Sequence, residues 1–102
     1  MVITTIDSAD AAEQLARGVV EAHVGACAQV VGPIRSAYRW EGAVQVDQEW
    51  QIWVKTTTDR MHRLIEHLEH HHSYDVPEIV ATPIIGGNAE YLRWVSEETK
   101  GD

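Results

Sequence analysis

The chain reads as α+β, a ferredoxin-like βαββαβ sandwich with a long central hairpin and a C-terminal helix. Three observations predict this. The apolar pattern alternates between periods of two and 3.6 in the order strand, helix, strand, strand, helix, strand, with one more helical segment at the end. The two central strand-like segments meet at Glu41-Gly42, a hairpin-turn dipeptide. The length of 102 residues suits one domain over 1–102, and 44% hydrophobic residues with four tryptophans are enough to bury a core.

"MVITTI" is a β-branched run of strand length. "DSADAAEQLARGVVEAHVG" then turns helical, placing Ala12, Leu15, Ala16, Val19 and Val20 on one face. Asp7, Ser8 and Asp10 all suit its N-cap, Asp10 with Glu13 fits a capping box, and Gly25 supplies the stop. From Cys27 to Trp40 the period returns to two, with Ile34, Ser36, Tyr38 and Trp40 on one face and Arg35, Ala37 and Arg39 on the other. Gly32-Pro33 should bend this strand or mark an edge. Beyond the turn, Val44, Val46, Trp50, Ile52 and Val54 alternate with Gln45, Asp47, Glu49, Gln51 and Lys55.

At about 3.3 Å per residue the hairpin arms reach roughly 40 Å. A domain of this length has a radius of gyration near ~13 Å, so the hairpin must bend or reach onto another chain. "TTTDRMHRLIEHLEHHH" is helical, capped by Thr57 or Thr58, with Met61, Leu64, Ile65 and Leu68 as its core stripe. "EIVATPII" reads as a strand in which Pro83 argues for an edge or an end. Asn88 caps a last helix that turns Leu92 and Val95 inward. Two helices cover one face of the sheet; Val44, Val46, Trp50 and their neighbours are too apolar for a solvated open face, which points to self-association.

Sixteen acidic against eight basic side chains give a formal charge of −8, which repels phosphate backbones and makes nucleic acid an unsuitable partner. One cysteine, Cys27, forms no internal disulfide, and its small apolar neighbours suggest a buried hydrophobe rather than a nucleophile. No run approaches the ~20 apolar residues that span a bilayer, and the opening "MVITTID" leads us to expect no basic, apolar leader. The expected compartment is the cytoplasm, with no membrane partner.

"GACA" after the first helix, "YRWEG" at the hairpin tip, "VKTT" entering the second helix, "HHSYDVPEI", and "YLRW" in the last helix occur in order across nearly the whole chain. Together they resemble the CutA divalent-cation tolerance family. The resemblance implies a ferredoxin-like protomer in a compact homotrimer whose long hairpins help join subunits. It also implies metal-ion tolerance and binding of copper or other divalent ions, with no catalytic reaction and no obligatory cofactor. The ligands implied in copper-binding members are a cysteine at the end of the first strand and two adjacent histidines, which match His71 and His72. Thr4 stands at the cysteine position, and Ser73 stands where a proline usually follows.

Imidazole suits copper, zinc and nickel, and His67 and His71, four apart on a helix, can chelate one ion with His70 offset. The plain alternative is a solvated helix face whose late imidazoles meet the C-terminal carbonyls. Glu69 between His67 and His71 does not make an H-E-x-x-H site. Tyr38, Trp40, Glu49, Lys55, Tyr74 and Glu78 lie in the family-like blocks, and a subunit interface would gather them with His72. They read either as a small-molecule or anion pocket with Lys55 as charge partner, or as contacts holding a trimer together. Pro77 keeps Val76 extended and turns the chain toward the next strand.

Three functions follow as expectations. The first is a non-catalytic trimer that binds divalent metal, copper or zinc, through His71 and His72 and serves metal tolerance or homeostasis. The second is a trimeric sensor with an organic ligand in intersubunit clefts. An enzyme using His72, Tyr74 and Glu78 for acid–base work ranks last, because no nucleophile constellation accompanies them.

Overall fold

The computed structural model describes residues 1–100; positions 101 and 102 of the expected single domain lie outside the described residues. Strand β1 (Val2–Ile6) directs Val2, Thr4 and Ile6 to one face, opposite Val54, Ile52 and Trp50 of the neighbouring strand. Helix α1 (Ala9–Glu21) lays Ala12, Leu15, Ala16 and Val19 on that face. Of the competing caps Ser8 prevails, its Oγ accepting from Ala11 N–H at 3.1 Å. Asp10 therefore falls inside the first turn, where its charge complements the helix dipole instead of closing a capping box.

The helix ends in a Schellman arrangement, and the left-handed residue is His23 (φ 59°) rather than the expected Gly25. Val24 N–H donates to Val19 O and His23 N–H to Val20 O, both at 3.1 Å. Gly25 is needed for another reason: a Cβ there would lie 2.4 Å from Val54 Cγ1, inside the core.

Strands β2 (Cys27–Trp40) and β3 (Ala43–Lys55) form the expected hairpin. Its tip is a two-residue turn with positive φ at Glu41 (49°) and Gly42 (80°), the geometry that matches strand twist. Gly32 and Pro33 together oppose the single residue Trp50, so the dipeptide makes a bulge and the strand continues. A side chain at Gly32 would meet Trp50 Cδ1 at 2.7 Å.

Helix α2 (Thr58–His71) buries Leu64 and Leu68 completely, with Met61 packed beside them and Ile65 half-buried. Strand β4 is shorter than expected, only Ile79–Ala81. Thr82 N–H still reaches Met1 O at 2.8 Å, but Pro83 has no donor to extend the ladder and Ile85 lies 96% exposed. Asn88 caps helix α3 (Ala89–Glu98) by accepting from Tyr91 N–H at 2.9 Å, with Val95 buried and Leu92 half-buried. Buried Thr99 ties that helix to α2, its carbonyl accepting from Arg60 Nε.

The sheet is antiparallel in the order β2-β3-β1-β4, with α1 and α2 on one face. The molecule measures 45 × 26 × 22 Å because the hairpin projects beyond the helices. This corrects the expected position of the apolar surface. Val44 and Val46 share the helix-side face with Trp50, Ile52 and Val54, and they are 65% and 52% exposed because the helices do not extend that far. They overhang the core and do not belong to the opposite face.

Candidate functional site

The four imidazoles at the end of α2 divide into two sets because the backbone changes there. Residues up to His71 are helical, whereas His72 is extended (φ −79°, ψ 145°) and points elsewhere. His71 Nδ1–H donates to His67 O at 2.9 Å, which leaves the Nε2 lone pair uncommitted on an exposed side chain. The His67 ring stacks on His71 at 4.2 Å, and His70 meets His71 edge-on at 4.9 Å. Burial, followed by the neighbouring His71 and His70, holds His67 below the usual imidazole range.

His72 turns toward the sheet. Its Nε2 contacts Thr5 O at 2.8 Å, and its Nδ1 receives Tyr74 N–H at 3.0 Å. A carbonyl can only accept and a backbone N–H can only donate, so one tautomer fits, with the proton on Nε2 and the lone pair of Nδ1 in use. His72 thus has no nitrogen free in this arrangement, and the structure does not bring it together with His71. Thr4, at the position of the missing thiolate, is fully buried and donates from Oγ1 to Glu78 O at 2.7 Å.

On the opposite face of the sheet, a cavity of about 730 Å³ gathers five of the six expected pocket residues, Tyr38, Trp40, Glu49, Tyr74 and Glu78. Thr5, Ser36, Gln45 and Asp75 also line it. Register explains the gathering: Tyr38 sits opposite Gln45 and Ile34 opposite Glu49, so their side chains share one face. The segment after His72 then brings Tyr74 over that face. Tyr74 donates its hydroxyl to Glu49 Oε2 at 2.8 Å, and Glu49 is only 9% exposed. Burial first, then the bond to Glu49, pushes the Tyr74 hydroxyl well above the ordinary phenol range. Tyr38 is raised chiefly by its hydrogen bond to Asp47.

Lys55 is the exception. It lies at the far end of β3, opposite Cys27, and its ammonium donates to Gln29. Six residues separate it from Glu49, roughly 20 Å along a strand, so it does not reach this cavity within its own protomer. With Glu49, Asp75 and Glu78 in the lining and no basic side chain among them, the cavity suits a cation rather than an anion. Asp47 was not foreseen. Counting register back from Glu41-Gly42 places it diagonally across from Tyr38, so the signal was available. Cys27 is half-buried rather than buried, beside the Tyr91 hydroxyl.

An antiparallel β2-β3-β1-β4 sheet with two helices on one face and a cavity on the other defines a ferredoxin-like α+β protein. Among the described residues no helix is long and apolar enough to cross a membrane. The chain belongs to the family described as CutA1 divalent ion tolerance protein, whose model matches residues 1–98. It is 44% identical over 99 residues to a divalent-cation tolerance protein CutA of Thermus thermophilus, covering 97% of this chain and 96% of that one. It is 39% identical over 100 residues to a chloroplastic CutA of Arabidopsis thaliana, covering 98% of this chain but 55% of the plant protein. The chain thus spans little more than half of the plant relative. Among solved structures, CutA1 from Oryza sativa superposes with a TM-score of 0.95 at 39% identity, covering 99% of this chain and 93% of that one.

Proposed function

We propose that this protein serves divalent-cation tolerance by binding copper or zinc reversibly, without covalent catalysis, as a homotrimer. One observation carries the metal reading. His71 commits Nδ1–H to the His67 carbonyl and presents Nε2 to solvent, the arrangement in which a backbone acceptor fixes the ring and its tautomer for ligation. A formal charge of −8 raises the local cation concentration around it. The overhanging Val44 and Val46 and the long free edge of β2 supply surface for subunit contacts.

Calorimetric titration of the tag-free protein with Cu(II) and Zn(II) tests the reading. Binding that weakens at least tenfold on His71→Ala supports it; affinity unchanged by that substitution removes His71 from the site.

The cavity on the other face favours a second reading, a trimeric sensor that holds an organic ligand between subunits. Its aromatic walls around buried Glu49 suit an organic cation. Thermal stabilisation by ammonium compounds in the presence of chelator, lost on Glu49→Gln, supports this reading, and no stabilisation by any of them counts against it.

A further inference from the structure

We propose that the divalent-cation site is a two-imidazole chelate of His67 and His71 between α2 and α1, with His72 outside it. This rests on the metal-binding reading and names the ligands. Both rings line a cavity of about 310 Å³ that also exposes Gln14, Gly18 and Ser73. A Cβ added to Gly18 would meet only one heavy atom within 4 Å, His67 Nε2 at 3.5 Å. The missing side chain on α1 therefore leaves open space directly against that nitrogen.

His71 contributes its own Nε2, because its Nδ1 is held by the carbonyl one turn back. The rings are stacked at 4.2 Å with an interplanar angle of 27°, so the two side chains lie together on one side of the helix. Two imidazoles at about 2.0 Å from one metal have nitrogens roughly 3 Å apart, so closure needs the exposed His71 ring to rotate out of the stack until both Nε2 lone pairs converge. Among the described residues no group of three or more His, Cys, Asp or Glu side chains is placed to hold a metal ion. The remaining positions fall to water, the Gln14 amide oxygen or the Ser73 hydroxyl. Such a borderline, incomplete set ranks Cu(II) above Zn(II) and excludes calcium and magnesium.

Pulsed electron paramagnetic resonance with one equivalent of Cu(II) counts the bound imidazoles, and calorimetry gives the affinity. The wild type is expected to show two imidazoles. His67→Gln should show one and lose affinity by a factor on the order of ten to a hundred, as a chelate does when one arm is removed. His72→Ala should still show two. Gly18→Ala provides a control for folding: alanine favours the helix over glycine, so the melting temperature should hold or rise while copper affinity falls. Copper lost on His71→Ala but still held by two imidazoles in His67→Gln overturns this inference and leaves the metal reading standing. A wild type that binds no Cu(II) overturns both.

Discussion

Replacing Tyr74 with Phe removes one hydroxyl and leaves its partner exposed to judgement on stability. The hydroxyl donates to Glu49 Oε2 at 2.8 Å, and Glu49 is 9% exposed, so water does not readily replace the lost donor. A hydrogen bond to a charged group contributes about 1.5 to 3 kcal/mol, and a half-buried phenol beside an open cavity belongs near the lower end, about 1.5 kcal/mol. Equilibrium urea unfolding at one fixed protein concentration measures the loss. Glu49→Gln alone removes the charge while keeping an acceptor, and the double variant closes a thermodynamic cycle. A coupling of about 1 kcal/mol or more is expected between the two sites. Additivity within about 0.5 kcal/mol would refute the view that Tyr74 is the fastener of Glu49.

Other outcomes follow from the same geometry. His72→Ala deletes the bonds to Thr5 O and Tyr74 N–H, and unfolding should show a loss of about 1 to 3 kcal/mol with metal affinity unchanged. The Tyr74 phenol is raised above 10.0 in the fold, so the neutral form is favoured there. Its stabilisation is complete below the unfolded value and is lost as pH rises through and above 10; absorbance near 295 nm should show Tyr74 ionising only with unfolding. Val44→Lys with Val46→Lys places two charges on the overhanging face; light scattering should find the proposed trimer for the unaltered protein and monomers for this variant.

Much of the fold was legible because local chemistry and global packing agree. The 3.6-residue recurrence of Leu64 and Leu68 marked the buried stripe of α2, and Glu41-Gly42 marked the turn that sets the register of the whole hairpin. Where a tertiary contact decided, sequence reading missed. Gly25 looks like a helix stop, but its absent side chain serves Val54, a partner about thirty residues away in the chain that no local pattern shows. The valines near the hairpin tip were rightly read as unpartnered but assigned to the wrong face, because periodicity does not say where the covering helices end. The distance between Lys55 and Glu49 within one protomer was legible by counting residues along β3. His72 was not separable from His71, since its partner Thr5 lies sixty-seven positions away.

Thr4 and His72 mark where the ligand set implied by resemblance would sit, and here both residues act as fasteners instead. Thr4 Oγ1 holds the carbonyl of Glu78, and His72 Nε2–H holds the carbonyl of Thr5, so the segment from 72 to 78 is tied to β1 at both ends. Between those ties the backbone N–H of Tyr74 is received by His72 Nδ1, which sets the phenol over Glu49. A metal held between Thr4 and His72 would have to break both ties and expose a hydroxyl that is now 0% accessible. The same bonds that form the cavity on the open face therefore occupy both nitrogens of His72 in this arrangement, whereas His67 and His71 line the cavity beside α1 on the other side.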